Sequence, residues 1–396
     1  MSATLASSLP APDPAAAEHS RAVAACLRDA VRQAGGWLSF ETWMHLALYA
    51  PGLGYYAAGS TKLAERFTQG PANAAPRGDF VTAPELTPLF GQTLAGQVAH
   101  VLRDTGTANV LEFGAGSGAL ADALIVELNA VGLSVSYDIV EVSADLRERQ
   151  RQRLARHGTS VRWLDALPDA FSGCVIANEV LDAMPVRLFR WDDAGQLMER
   201  GVTWLGDVFA WAERPADRTL ASSVAARMPP LPGYASEINR QAEIWVGDMG
   251  RWLTRGAALL IDYGFPQREY YHPQRSDGTL MSHFRHHAHG DPLVLPGLQD
   301  ITAHVDFTAM ADAARAGGLD IMGYTSQARF LIEAGLLQRL AELDLNDPRI
   351  HTSTLGPVQK LLSEAEMGEL FKVLALGKGL KTPLPAFLRG DRRRAL

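Results

Sequence analysis

The sequence predicts an α/β fold, a mainly parallel sheet with helices on both faces, joined by a helical N-terminal region and an inserted β/α segment. Three observations predict it. From Ala108 onward, short apolar runs (NVLEF, SVSYDIVEV, SVRWL, GCVIAN, GAALLIDYG) alternate with helical stretches, the pattern of strands covered on both faces. The first run passes through a turn holding Gly114, Gly116 and Gly118 into a helix, VLEFGAGSGALADAL. Polar residues close later runs, Glu141 after the second and Asn178-Glu179 after the fourth. In an open parallel sheet the carboxyl ends of the strands are where ligands sit.

The elements follow in chain order. Residues 1–20, MSATLASSLPAPDPAAAEHS, are rich in Ala, Ser and Pro with no Arg or Lys, so a disordered tail is expected rather than a targeting signal. Residues 21–105 read as a helical N-terminal region. Val23, Ala24, Leu27 and Val31 recur at helical spacing before Gly35-Gly36, and a second helix covers Ser39 to Tyr49 with Ser39 as N-cap. The stretch from Ala57 to Arg77 has no period and reads as loop, and Pro88 to Arg103 is helical again.

Residues 106–190 carry the first four strands. Residues 191–250 are inserted strands, turning at Asp192–Gly195 and Gly206-Asp207, followed by a helix in EINRQAEIWVGDMGRWL. Residues 251–396 return to the sheet with GAALLIDYG, a loop at 265–300, the helix DFTAMADAARAGGL, and strands in DIMGYTSQARFL and LFKVLALGKG.

Composition bounds the function. The 396 residues allow two domains, or one with large additions. Apolar residues make 47% and charged residues 20%, the balance of a globular protein. With 37 Lys and Arg against 44 Asp and Glu, the net charge of −7 argues against a general nucleic-acid binder. No apolar run has the length of a membrane span, so no membrane insertion is expected. Cys26 and Cys174 lie far apart, which fits a reducing, cytoplasmic setting and no metal-thiolate site.

The ligand of the glycine turn is narrowed by its neighbours. A triphosphate loop needs Lys and Ser or Thr after its last glycine, whereas Ala119-Leu120 follow Gly118. The dinucleotide fingerprint is formally met by Gly114, Gly116 and Ala119. Glu112 precedes the turn, and Glu141 lies about 20 residues beyond it, where a carboxylate can accept both ribose hydroxyls. A helix cap is the alternative for Glu141. Asn178, Glu179 and Asp182, one turn on, would face the same ligand, with helix capping the alternative for Asn178 and Asp182.

Taken in order, GDFVTAPELTPLFG, EFGAGSGALA, NEVLDAMPV, IDYG and DITAHVDF resemble the MidA-type family of S-adenosylmethionine-dependent methyltransferases. The resemblance runs from about Gly36 to Gly379. It implies a seven-stranded class I (Rossmann-like) sheet with an antiparallel last strand and S-adenosylmethionine as cofactor. Because the family includes an arginine methyltransferase that acts in the assembly of mitochondrial complex I, it also implies a protein partner, by extension a respiratory-complex subunit. Cofactor-binding residues are then expected at Glu112, Gly114, Gly116, Gly118, Glu141, Asp165 and Asn178. Asp165, in WLDAL, stands where this fold often reaches adenine, or caps a helix.

Methyl transfer from a sulfonium is an in-line displacement by an already activated donor, so holding and orienting the acceptor supplies most of the rate. An arginine acceptor is always charged, and carboxylates grip its planar fork. Glu179 and Asp182 are the best-placed acids. Asp79 and Glu85 of GDFVTAPE come next, with turn formation and capping as alternatives. Tyr55 and Tyr56 could stack on a ligand or simply pack.

His283, His286, His287 and His289 match no metal pattern and are read as a flexible polar loop over the acceptor site. His304 and Asp306 are strand neighbours or a helix cap, placed near the active site by the resemblance alone. Arg147, Arg149, Arg151, Arg153 and Arg156 read as a solvated helix face. Three functions stay open on the residues: a methyltransferase acting on protein arginine, a nicotinamide-dependent oxidoreductase, and an S-adenosylmethionine-binding assembly factor with little turnover.

Overall fold

The computed structural model describes residues 9–58, 82–344 and 347–396, and the chain divides into two compact units. One draws its described residues from Met1–Phe80, Asp182–Gln241 and Gln267–His304. The other draws them from Val81–Leu181, Ala242–Pro266 and Val305–Leu396. Asp79 and most of the 57–77 segment lie outside the described residues.

The second unit holds the main sheet. Its strands are β1 (Asn109–Phe113), β2 (Ser136–Val140), β3 (Val161–Leu164), β4 (Phe171–Asn178), β5 (Leu253–Phe265), β6 (Asp320–Ser326) and β7 (Phe371–Lys378). They lie in the order β3-β2-β1-β4-β5-β7-β6. All pairs are parallel except the two made by β7. This is the seven-stranded mixed sheet the resemblance implies, and its order reverses at β1, where the glycine turn emerges. The two residues Val305–Asp306 add a short parallel pairing to the end of β5.

Apolar runs make these strands because both faces are covered. Val110, Tyr137, Ile139, Cys174, Ile176, Leu259 and Val373 share one buried cluster with Leu94, Val98 and Leu102 of helix Pro88–Thr105 and with Leu120, Leu124 and Leu128 of helix Ala119–Ala130. Helix Pro88–Thr105 therefore belongs to the sheet unit and not to a separate N-terminal region. Its start is capped by Thr87, whose hydroxyl accepts from Leu89 N, and Gly106 ends it in the left-handed conformation.

The other unit pairs the two earlier helices with the inserted strands. Helices Pro14–Gln33 and Phe40–Tyr49 bury Val23, Leu27, Val31, Phe40, Trp43 and Met44 in one cluster with Leu188, Val202 and Phe209. The residues expected to be N-terminal helices are thus divided between the units. Ser39 caps the second helix as expected, accepting from Thr42 N at 3.2 Å. Of the expected disordered tail, residues 1–8 lie outside the described residues and residues 14–20 are helical. Asp13 accepts from Ala16 N at 2.9 Å, Pro14 takes the first turn, and the alanines, strong helix formers, continue it. Ser20 is buried and donates to Pro296 O at 3.0 Å.

The insertion is antiparallel. Arg187–Trp191, Leu197–Leu205 and Val208–Pro215 pair in sequence, with Leu38–Ser39 on Leu197–Leu205 and Ala235–Ile238 on Arg187–Trp191. The expected helix begins at Arg240, its first residues being strand. The expected loop at 265–300 contains structure too. Met281–Phe284 pairs with His287–His289 and with Asp300–Thr302 in a three-stranded sheet. Arg285 and His286 take positive φ and make the two-residue turn between the first two strands, so the histidines sit on a hairpin and not on a flexible loop. No helix among the described residues is long and apolar enough to cross a membrane.

Candidate functional site

The glycine turn leaves β1 with Gly114, Gly116 and Gly118 at φ of 60°, 53° and 82°, values that disfavour a side chain. Two of the three are also close to protein. A Cβ on Gly114 would lie 3.1 Å from Val180 Cγ2, and one on Gly118 3.4 Å from Leu154 Cδ1. Around Gly116 a Cβ would meet nothing within 4 Å, so the turn opens onto space where a ligand can approach the main chain. Gly114 N donates to Val140 O at 2.9 Å, which ties the turn to the end of β2.

Glu141 follows β2 directly and is buried. Its Oε1 accepts from Ser143 N at 3.0 Å and its Oε2 from Gln150 Nε2 at 3.0 Å. Burial raises its pKa, and those two hydrogen bonds oppose the rise. Ser143 also caps helix Ala144–Leu154, so the cap and the acid are built together. A carboxylate has about four acceptor positions, so these bonds leave room for vicinal hydroxyls.

The arginines of this segment are divided: Arg151, Arg153 and Arg156 are exposed, as a solvated face requires, whereas Arg147 and Arg149 are half-buried. Arg147 donates to Glu141 O at 2.9 Å, to Leu164 O at 2.6 Å and to Asp165 Oδ1 at 2.6 Å. Arg149 pairs with Asp145 at 2.6 Å, Arg151 lies over the Trp163 ring, and Arg156 pairs with Asp122. Arg153 donates to Ser117 Oγ at 2.5 Å. Arg147 therefore clasps the ends of β2 and β3, and Arg153 the glycine turn. Asp165, expected at adenine, is an exposed partner of Arg147.

Glu112 stands one residue before the end of β1 and accepts from Tyr137 Oη at 2.7 Å. Burial pushes its pKa up to about 8, with Glu141 adding to the rise and the Tyr137 hydrogen bond opposing it. Glu85, expected as an acid of the acceptor site, lies at the glycine turn. Ser117 Oγ donates to its carboxylate, and Arg153 lies 3.4 Å from it.

At the end of β4, Glu179 holds a φ of 54°, a region that strains any residue with a Cβ. Its N–H donates to Ile261 O at 2.9 Å, and Leu181 N donates to Asp262 Oδ2 at 2.9 Å. Asp262 is fully buried near the end of β5, before Tyr263, Gly264 and Phe265. Asn178 Nδ2 donates to Glu179 Oε1 at 3.0 Å, while the buried Asn178 Oδ1 has no hydrogen-bond partner among the described residues. A buried acceptor left open is a place for a ligand donor. The contact of Val180 with Gly114 sets this cluster beside the glycine turn.

Asp182 opens the next segment of the other unit, where it is buried and its main-chain oxygen accepts from Ala303 N at 3.0 Å. In that unit Tyr56 donates to Asp300 Oδ1 at 2.7 Å and its ring stacks on Tyr49, so Tyr56 is held by packing. Burial and Asp300 raise its pKa well above the tyrosine range. His304 N donates to Thr279 Oγ1, and Asp306 caps helix Phe307–Ala316. No group of three or more His, Cys, Asp or Glu able to hold a metal occurs among the described residues.

Sequence reading missed Gln150 and Asp262. Gln150 stands in a run of charged helix residues, and the signal that could have found it is its helical spacing from Arg147 and Leu154, one face of the turn. Asp262 was legible as the acid near the end of an apolar strand.

Taken together, the open turn at Gly116, the two-oxygen acceptor at Glu141 and the open acceptor of Asn178 fit a nucleoside bearing a charged tail. Comparisons with known proteins agree. A family model described as "Putative S-adenosyl-L-methionine-dependent methyltransferase" matches residues 93–325. A Burkholderia thailandensis protein crystallised with S-adenosylhomocysteine is 50% identical, with a TM-score of 0.92 over 98% of this chain and 100% of that one. The arginine methyltransferase NDUFAF7 of Danio rerio, a mitochondrial protein, is 28% identical over 87% of this chain and 84% of its own. Its Drosophila melanogaster homologue is 30% identical over 76% of each.

Proposed function

The chain belongs to the MidA family of S-adenosylmethionine-dependent methyltransferases and uses that cofactor, and from this premise we propose that its methyl acceptor is an arginine side chain of a partner protein. The nicotinamide alternative falls with the cofactor. The observation that carries the proposal is Glu179, a carboxylate held in a strained backbone at the end of β4, beside the glycine turn. Strain of this kind persists where the surrounding structure requires a side chain in one place. The names of the Danio and Drosophila relatives support the choice of arginine.

On this reading Glu141 takes the ribose hydroxyls, the glycine turn leaves room for the cofactor's main-chain contacts, and Asn178 Oδ1 accepts from its polar tail. The bound cofactor supplies an electrophilic methyl group. Glu179 grips the planar guanidinium by charge-assisted hydrogen bonds and turns one nitrogen toward that methyl. On this reading the nitrogen that takes the methyl group gives up one proton, and the Glu179 carboxylate accepts it and passes it to solvent.

The test is methyl labelling. Purified protein, a lysate and methyl-labelled S-adenosylmethionine are incubated, and labelled proteins are hydrolysed for amino-acid analysis, with respiratory-complex subunits the first partners to examine. Label is expected in methylarginine and is lost with Glu179→Ala, while S-adenosylhomocysteine affinity stays within about threefold. Label on another residue would overturn the arginine reading. No label at all would favour a binding factor with little turnover.

A further inference from the structure

We propose that Gln150 is a positioning residue for the cofactor, a buried amide that fixes both the ribose-binding carboxylate and the peptide plane of the glycine turn. The inference rests on Glu141 taking the ribose. Gln150 lies on helix Ala144–Leu154 and is fully buried. Its Nε2 donates to Glu141 Oε2 at 3.0 Å and to Gly116 O at 2.9 Å, and its Oε1 accepts from Trp163 Nε1 at 2.8 Å. One side chain thus joins the turn after β1, the acid after β2 and the strand β3.

The orientation of the amide is decided by chemistry. Indole N–H is a donor only, so the oxygen of Gln150 must face Trp163 and the NH2 must face the two acceptors. Both N–H bonds are then used, and neither a carboxylate nor an apolar side chain of the same length could replace them at neutral pH. Two consequences follow. Each oxygen of Glu141 accepts one of these bonds, from Ser143 N and from Gln150, which fixes the carboxylate plane that the diol meets. The Gly116 carbonyl is turned toward Gln150, and in a trans peptide the Ser117 N–H then points the opposite way, out of the turn.

Three variants test the proposal: Gln150→Leu, Gln150→Glu and Glu141→Ala. S-adenosylmethionine and S-adenosylhomocysteine affinities are measured by calorimetry at about pH 5.5 and pH 8, each as a ratio to wild type at the same pH. Gln150→Leu is expected to weaken both ligands by about tenfold to a hundredfold, equally at both pH values, the usual range for a lost hydrogen bond to a charged group. Methyl transfer at saturating cofactor should stay within about threefold, so the effect falls on KM. Gln150→Glu should weaken binding more at pH 8, where more of the introduced group is ionised and cannot donate, than at pH 5.5, where it carries a proton, the two losses differing by at least about twofold. A residue that only packs the helix would not show that difference.

Wild-type affinity in both Gln150 variants, or a Gln150→Glu loss identical at the two pH values, would overturn the proposal. Wild-type affinity in Glu141→Ala would instead overturn the ribose reading on which it rests. If melting shows Gln150→Leu to be unfolded, the pH comparison on Gln150→Glu decides alone.

Discussion

Glu179 allows backbone strain and chemistry to be separated in one pair of variants. Its φ of 54° brings Cβ against the following carbonyl, at a cost of about 1–2 kcal/mol for a residue other than glycine. The main chain holds it there through Glu179 N to Ile261 O and Leu181 N to Asp262 Oδ2, both 2.9 Å. Glu179→Ala and Glu179→Gly delete the same carboxylate and the same hydrogen bond from Asn178, so those losses cancel in the comparison. Only glycine removes Cβ. Against the relief stands the greater chain entropy of glycine when unfolded, about 0.5–1 kcal/mol, which leaves about 0.5–1 kcal/mol in favour of glycine. For a cooperative unit of about 150–250 residues this raises Tm by about 1–4 °C. Differential scanning calorimetry without cofactor is the assay, with methyl transfer measured on the same preparations. Both variants should lose methyl transfer, with the glycine variant the more stable. An alanine variant that melts as high as the glycine variant would refute the strain, and an active glycine variant would refute the role of the carboxylate.

Gly116→Val places a β-branched side chain at a φ of 53°, at the one glycine of the turn whose added Cβ would meet no protein atom within 4 Å. It should abolish S-adenosylhomocysteine binding by calorimetry while the protein still melts cooperatively, and retained binding would put the cofactor elsewhere. Glu112 has a pKa raised from 4.5 to about 8 by burial, so the folded state holds a proton that the unfolded chain releases. That stability is fully present below about pH 4.5 and is lost as pH rises through about 8. Glu112→Gln imitates the protonated form and keeps an acceptor for Tyr137. Its Tm relative to wild type should therefore climb between about pH 5 and pH 8, and parallel Tm curves would contradict the assignment. Glu85→Ala removes a partly exposed partner of Ser117 and Arg153, and should weaken cofactor binding by about two- to fivefold without unfolding the protein. An unchanged affinity would leave Glu85 with no part in holding the turn.

The sequence by itself determined what depends on a few neighbouring residues. Apolar runs covered on both faces, a turn whose positive φ only glycine takes freely, an acid closing β2 and the cap at Ser39 are all local chemistry, and each lies where it was expected. Tertiary structure decided which faces and which polar groups meet. Helix Pro88–Thr105 has an apolar face that would suit any partner, and only the assembled sheet shows that it covers Val110 and Ile176. The alanines after Asp13 read as a tail until a buried Ser20 finds Pro296 O far along the chain. Arg147, Arg153 and Gln150 look like one charged helix surface in sequence. Their partners at Leu164, Ser117 and Gly116 stand on other segments, and a hydrogen bond between distant segments leaves no periodic trace in either. The glycine turn and the acid after β2 were therefore legible, whereas the groups that hold them in place were not, because holding is a property of the fold's long-range contacts.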